Sequence, residues 1–93
     1  MDPKEQLYYL LEHLYKGNYT IDVFADEFDR IYFLELDDDL CTDEERKLFL
    51  EVGEIVKLYS PYESDRKLYP YYTDEDVKQI ATEVYLKLTS AMN

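Results

Sequence analysis

The sequence predicts an all-α fold, a small antiparallel four-helix bundle that forms a single domain over residues 1–93. Three observations predict it. Apolar residues recur at helical spacing in four segments, an Asp or Thr precedes each segment as a capping residue, and no segment alternates as a strand does. With 46% hydrophobic and 34% charged residues, the chain has the composition of a globular protein.

The first helix is predicted over residues 3–16. Asp2 is placed to accept a hydrogen bond as the N-cap, and Pro3 takes the first helical position, where its missing N–H costs nothing. Gly17 follows where a left-handed residue commonly ends a helix. Four leucines share one face at the spacing i, i+3, i+4, i+7, and they are Leu7, Leu10, Leu11 and Leu14.

The second helix is predicted over residues 21–36, with Thr20 as its cap. Helical periodicity assigns its two faces. The inward face contains Ile21, Phe24, Phe28, Ile31, Tyr32 and Leu34. The outward face is acidic and contains Asp22, Asp26, Glu27 and Asp29.

The third and fourth helices are predicted over 43–59 and 74–90. Thr42 and Glu45 have the spacing of a capping box, and Thr73 has the same relation to Asp76. The stripe of the third helix contains Leu48, Val52, Ile55, Val56 and Tyr59, and Pro61 follows it. The stripe of the fourth contains Val77, Ile80, Ala81, Val84, Tyr85 and Leu88.

Charge is the first feature that points to function. The chain has 22 acidic and 10 basic residues, a net charge of −12. Between Asp22 and Glu45 there are eleven acids and one base, Arg30, so this stretch alone carries −10. Such a field repels nucleic acids and anionic membranes, and attracts basic proteins. We therefore expect a basic protein partner, no direct nucleic-acid binding and no membrane binding.

The run Asp37, Asp38 and Asp39 is the most informative part of that stretch. It follows a predicted helix C-terminus, where the helix dipole mildly disfavours negative charge. Selection for stability alone would favour Lys or Arg there. The run therefore predicts an electrostatic docking surface, and a solvated acidic loop is the alternative.

Tyrosine is the second unusual feature, since the chain has eleven Tyr and no Trp. Tyrosine gives large contact area with a polar tip, and protein interfaces are rich in it. Tyr59 is predicted to seal one end of the bundle. Tyr62, Tyr71 and Tyr72 are predicted to form an exposed contact surface, and Tyr69 lies among them.

The sequence predicts no catalytic site, no metal site and no cofactor. A calcium loop starting at Asp37 would put Cys41 at position 5 and Leu48 at position 12, where EF-hands need oxygen ligands. His13 is the only histidine, lies off the leucine stripe and is predicted to face solvent, so nothing assembles a catalytic triad or a di-iron site around it.

Over almost its whole length, the chain resembles the colicin D-type self-protective immunity proteins. Residues 7–14 and the turn 17–20 look like the first helix and short turn of that family, and residues 24–32 resemble its aromatic-rich second helix. Residues 48–59, Pro61, Asp65 with Arg66, and residues 73–88 look like the remainder.

The resemblance implies an immunity protein that binds a cognate toxin nuclease, of the kind that cuts transfer RNA, as a 1:1 heterodimer. The sequence has no apolar run long enough to span a bilayer, no signal-peptide pattern in residues 1–6 and a single cysteine, so we expect a cytoplasmic location. In that family, acids near the end of the third helix stand in for substrate phosphates, a region that holds Glu54, Tyr62, Glu63 and Asp65 here. Lys57 departs from that acidic pattern. The full set of predicted partner-binding residues is Asp37, Asp38, Asp39, Asp43, Glu44, Glu54, Tyr62, Glu63, Asp65, Tyr69, Tyr71 and Tyr72.

Two other functions agree with the residues alone. An acidic mimic of nucleic acid could inhibit a host DNA-binding protein, because its charge would suit that partner equally well. A non-catalytic adaptor module, acidic only for solubility, is the other alternative.

Overall fold

A computed structural model describes residues 2–59 and 72–90, and it confirms the predicted antiparallel four-helix bundle. The helices are α1 (Pro3–Tyr15), α2 (Ile21–Arg30), α3 (Asp43–Lys57) and α4 (Asp74–Ser90). A π-helical turn, Ile31–Glu35, continues α2, and a 3-10 turn, Asp38–Leu40, precedes α3. None of the helices in the described part of the chain is long and apolar enough to cross a membrane.

The core lies where the predicted apolar stripes meet. Helix α4 packs against α1, α2 and α3, and α2 also contacts α1 and α3. The four leucines of α1 are all buried, as predicted. The largest completely enclosed side chains are Phe24, Phe28, Phe49, Leu7 and Leu11. Burial of these aromatic and aliphatic groups is the main stabilising contribution, at roughly 1.5–3 kcal/mol for each.

Both ends of α1 follow the sequence prediction. The Asp2 carboxylate accepts a hydrogen bond from the Glu5 backbone N–H at 2.8 Å. At the other end Gly17 has a φ of 82°, a left-handed conformation that costs glycine little. The N–H of Gly17 donates to the Leu14 carbonyl, and that of Asn18 donates to the His13 carbonyl. These two bonds form a Schellman motif and turn the chain toward α2.

The capping boxes of α3 and α4 are also confirmed. The Thr42 hydroxyl accepts from the Glu45 N–H at 3.1 Å, and the Glu45 carboxylate accepts from the Thr42 N–H at 2.8 Å. Thr73 and Asp76 form the equivalent pair at the start of α4. Thr20 occupies the N-cap position of α2, but its side chain makes no capping bond to the helix backbone.

The predicted second helix changes its geometry after Arg30. The Leu36 N–H donates to the Ile31 carbonyl at 2.9 Å, an i to i+5 bond that widens the turn by one residue. The widened turn changes the direction in which later side chains point. Leu34 is 79% exposed, so its predicted place on the inward face is wrong. Phe33 beside it is 45% exposed.

Tyr32 connects this turn to α3 through a close approach to Gly53. A Cβ atom on Gly53 would lie 2.6 Å from Tyr32 Cε2 and 2.8 Å from Cδ2. Real side chains do not approach that closely, so the absence of a side chain at position 53 lets one edge of the ring contact α3. On its other sides the ring packs with Phe28, at 5.8 Å between centroids, and Phe33, at 4.8 Å.

We expect Gly53→Ala to lower the free energy of unfolding by about 1 kcal/mol. Displacement of the Tyr32 ring should destabilise the protein by about 1–3 kcal/mol. The higher helix propensity of alanine should offset only about 1 kcal/mol of this. In a Tyr32→Ala background the same Gly53→Ala change should instead stabilise by about 1 kcal/mol. Urea unfolding of the four proteins measures both values, and an effect of the same sign in both backgrounds would contradict the predicted contact.

The ends of α3 and α4 are tied together by their tyrosines. Tyr59 and Tyr72 form an isolated parallel bridge, in which the Tyr72 N–H donates to the Leu58 carbonyl at 3.0 Å. The Tyr59 hydroxyl donates to the Asp74 carboxylate at 2.5 Å, and its ring packs against the core. Tyr59 therefore seals this end of the bundle, as predicted.

Candidate partner-binding surface

Helices α2 and α3 together present a grooved acidic face, here named the α2–α3 surface. Two adjoining grooves make it up, of about 660 and 570 Å³, and both are lined by Lys57. The side chains that carry its character are Asp22, Asp26, Asp29, Phe33, Leu34, Glu51, Glu54, Lys57, Leu58 and Tyr72. Five of these are acids and one is a base, so the surface is strongly negative.

The acids of α2 are divided between paired and unpaired groups. Arg30 donates to Glu27 at 2.6 Å and to Glu35 at 2.8 Å. Its positive charge is therefore paired with acids of α2 and of the π-helical turn. Within the described residues, Asp26 and Asp29 form no ion pair. These two carboxylates are therefore available to cationic groups of a partner.

Apolar side chains lie next to these carboxylates. Phe33 and Leu34 project from the π-helical turn, and the Lys57 ammonium lies 5.3 Å from the centre of the Phe33 ring. Both side chains are exposed, so they add apolar area to the acidic groove. π-helical turns are frequently found at functional sites.

Tyr32 brings two of the predicted partner-binding residues to one place. Burial raises the pKa of its phenol, and the nearby carboxylates of Asp38 and Glu54 raise that pKa further. Asp38 comes from the 3-10 turn and Glu54 from α3. The acidic run and the middle of α3 therefore contribute to one negative field around Tyr32.

The acidic run itself has a local structural role that the sequence prediction did not include. The Asp37 carboxylate accepts a hydrogen bond from the Asp39 N–H at 3.0 Å and so caps the 3-10 turn Asp38–Leu40. A negative group at the start of such a turn is favourable, whereas one at the end of a helix is not. Asp37, Asp38 and Asp39 are all exposed, so their carboxylates still face solvent.

Glu54 and Tyr72, both predicted to bind the partner, line the same groove. Tyr72 is also the residue at which the described chain resumes, and Tyr59, where it stops, lines the adjoining groove. Tyr59 and Tyr72 therefore both lie at the α2–α3 surface. Five predicted residues fall outside the described residues, and these are Tyr62, Glu63, Asp65, Tyr69 and Tyr71.

Asp43 and Glu44 do not belong to this surface. They line a different groove, formed by α1, the start of α3 and the end of α4. Asp43 is also paired, since it accepts a hydrogen bond from Arg46 one turn later. The structure therefore distributes the predicted site over two faces of the bundle.

Glu45 is the most buried charged residue in the described part of the chain, with 8% of its surface exposed. Besides the Thr42 N–H, it accepts a hydrogen bond from the Tyr8 hydroxyl at 2.6 Å and lies 3.0 Å from the Lys4 ammonium. Burial acts to raise the pKa of Glu45, but the Thr42, Tyr8 and Lys4 donors together outweigh it and lower that pKa. Lys4 also donates to the Leu40 carbonyl at 3.2 Å, which ties α1 to the 3-10 turn.

His13 is less exposed than its sequence position predicted. Its ring lies between Tyr9, at 4.1 Å between centroids, and Tyr19, at 6.3 Å. The Asn18 side-chain amide lies 2.8 Å from Nδ1, so that nitrogen accepts and the ring supports the turn after α1. Among residues 2–59 and 72–90, no group of three or more His, Cys, Asp or Glu side chains could hold a metal ion.

Among the side chains that characterise this surface, only Glu54 and Tyr72 were predicted to bind the partner. Sequence reasoning missed eight others as site residues, and these are Asp22, Asp26, Asp29, Phe33, Leu34, Glu51, Lys57 and Leu58. The three aspartates were predicted only as part of the acidic outward face of the second helix. Phe33 and Leu34 belong to the run Ile31-Tyr32-Phe33-Leu34, whose four consecutive apolar residues cannot all face inward on a helix that turns about 100° per residue. That run could have indicated that one or two of these side chains are exposed. Glu51 had no comparable signal, because its position depends on how α3 packs against α4.

Comparisons with protein-family models, curated proteins and solved structures find no match to this chain. The resemblance to colicin D-type immunity proteins therefore stays a prediction from the sequence.

Proposed function

We propose that this protein is a non-catalytic inhibitor that binds the basic active-site cleft of a toxin nuclease, of the kind that cleaves transfer RNA, and thereby protects the cell that makes it. The observation that carries this proposal is the α2–α3 surface, where unpaired carboxylates of Asp26 and Asp29 adjoin the exposed side chains of Phe33 and Leu34.

The chemistry of a nuclease cleft suits such a surface. Its lysines and arginines bind substrate phosphates, and carboxylates can accept the same hydrogen bonds. Opposite fields also steer the two proteins together, with association rates up to about 10⁸–10⁹ M⁻¹s⁻¹ at low salt. Rapid capture is what protection against a toxin requires, and it favours this function over an adaptor whose acidity serves solubility.

Apolar contacts would supply the short-range part of the affinity. Leu34 is exposed in the free protein, so it can contact a partner without giving up contacts in the core. Burial of such a side chain in an apolar recess between basic residues of the partner would strengthen binding. The tyrosines at the end of α3 and before α4 would add contacts that distinguish the cognate toxin from related ones.

We expect Leu34→Ala to raise the dissociation rate of the complex about 10-fold and to leave the association rate within about 2-fold. The removed contact acts only after docking, whereas the steering charges are unchanged. Leu50→Ala is the matched control, because Leu50 is exposed on α3 but does not line the α2–α3 surface. Surface plasmon resonance measures both rates, and equal dissociation rates for the two variants would contradict the contact.

Affinity capture tests the partner class. The tagged protein, incubated at low salt with a lysate of the organism that encodes it, should retain the nuclease domain of a secreted toxin, identified by mass spectrometry. Recovery of a host DNA-binding protein alone would favour a nucleic-acid mimic, and recovery of no basic protein would contradict both.

A further inference from the structure

A second groove lies apart from the α2–α3 surface and shares none of its lining residues. It has a volume of about 1100 Å³ and runs between α1, the start of α3 and the end of α4. Tyr8, Tyr9, Tyr85 and Leu88 supply its apolar surface. Tyr9 is 41% exposed, so part of this apolar surface is open to solvent.

Carboxylates surround this apolar floor on the sides formed by α1 and α3. They belong to Asp2, Glu5, Glu12, Asp43, Glu44 and Glu45. Several are already paired, since Glu12 contacts Lys16 and Glu45 contacts Lys4. Glu5 and Glu44 form no ion pair within the described residues. The groove thus combines an apolar floor with uncompensated negative charge on opposite rims.

The dimensions of the groove indicate the shape of its occupant. Along α1 and its N-cap the lining side chains recur at positions 2, 4, 5, 8, 9 and 12, which is one helical face. The base among them, Lys4, is paired with Glu45. Ten residues of helix rise about 15 Å, so the groove is long enough for roughly three turns of a second helix. Helices bound in grooves present an apolar stripe to the floor and charges to the rims.

From this geometry we infer that the groove binds a short cationic amphipathic helix of another protein, with its apolar stripe on Tyr8, Tyr9 and Tyr85 and its lysines or arginines beside Glu5 and Glu44. The inference goes beyond the proposed inhibitor function, because it concerns a different face of the bundle. An anionic ligand would be repelled by the rims. A second copy of this chain does not fit, because each of its four helices has more acidic than basic residues.

A designed peptide provides the probe. It has 14 residues of leucine and lysine with blocked ends, and its leucines recur at i, i+3, i+4 and i+7 so that they form one helical stripe. A scrambled peptide of the same composition has the same charge but no stripe. With a fluorescein label, fluorescence anisotropy gives both dissociation constants. We expect the amphipathic peptide to bind at least about 10-fold more tightly, because only it can cover the apolar floor.

Charge reversal locates the site with a matched control. Glu44→Lys places repulsion on the rim, and Glu75→Lys makes the same change at the same position of the first turn of α4, outside the groove. Both changes oppose the helix dipole equally, so their effects on stability should match. We expect Glu44→Lys to weaken binding of the amphipathic peptide about 10-fold, and Glu75→Lys to weaken it by less than about 2-fold.

Amide chemical shifts of the unmodified protein complete the test, since they do not depend on any variant folding. Peptide binding should perturb the amides of Tyr8, Tyr9 and Tyr85 most. Absence of binding, equal binding of the scrambled peptide, or equal weakening by both charge reversals would overturn the inference. Perturbation centred on Asp26 and Phe33 would also overturn it, and would leave the proposed function of the α2–α3 surface standing.

Discussion

The double variant Asp26→Lys/Asp29→Lys should associate with the nuclease domain about 100-fold more slowly than the unmodified protein. Both carboxylates lie on the α2–α3 surface without an ion pair of their own. Reversing them replaces attraction by repulsion at the contact, and steering of this kind changes association rates by about 10–10³-fold. The variant should fold normally, because Asp26 is exposed, Asp29 is partly exposed, and neither carboxylate forms an ion pair within the described residues.

Glu75→Lys/Glu83→Lys is the control for net charge. It changes the total charge by the same amount, but both residues are exposed on α4 outside the α2–α3 surface. At an ionic strength of about 0.15 M the Debye length is about 8 Å, so distant charges contribute little. Stopped-flow association should show the control within about 3-fold of the unmodified protein. Equal slowing by the two double variants would mean that total charge, and not this surface, governs association.

Glu45→Ala should lower the free energy of unfolding by about 2–4 kcal/mol. The change removes the capping box of α3 and leaves the Tyr8 hydroxyl and the Lys4 ammonium without their carboxylate. For a domain of this size, that loss corresponds to a melting temperature about 10–25 °C lower. Glu44→Ala, an exposed neighbour in the same first turn, should cost less than about 1 kcal/mol. Similar costs for both variants would contradict the role of the buried network.

The same network predicts how the effect varies with pH. Since the pKa of Glu45 is lower in the folded protein than its ordinary value of 4.5, the ionised carboxylate contributes stability above that value. The contribution is lost as the pH falls through the lower pKa of the folded state. The stability difference between the unmodified protein and Glu45→Ala should therefore be largest near neutral pH and shrink below about pH 4. A difference that stays constant from pH 7 to pH 3 would contradict the ionic part of the network.

The bundle could be predicted because the start of each helix is determined by residues that are close together in the sequence. Thr42 with Glu45, and Thr73 with Asp76, form their capping boxes within four residues of chain, so the sequence alone identifies them. The leucine stripe of α1 is equally local. These features set where each helix begins and which face it buries, and together they determine the fold class.

The parts that sequence reasoning missed depend on contacts between distant residues. Leu34 is exposed because the π-helical turn accommodates Tyr32 against Gly53, twenty-one positions away. The burial of Glu45 depends on Tyr8, thirty-seven positions earlier. Periodicity assumes a regular helix and therefore cannot locate a widened turn. For that reason the acidic character of α2 was predictable, whereas the grouping of Asp26 and Asp29 with Phe33 and Leu34 in one groove was not.

Inhibition of RNA cleavage at known stoichiometry tests the central claim most directly. The captured nuclease domain is incubated with transfer RNA while this protein is added in steps, and cleavage is followed by gel electrophoresis. Cleavage should fall to background at one equivalent and should persist at one equivalent of Asp26→Lys/Asp29→Lys. Continued cleavage in the presence of several equivalents of bound, unmodified protein would contradict the claim that the acidic surface covers the active-site cleft.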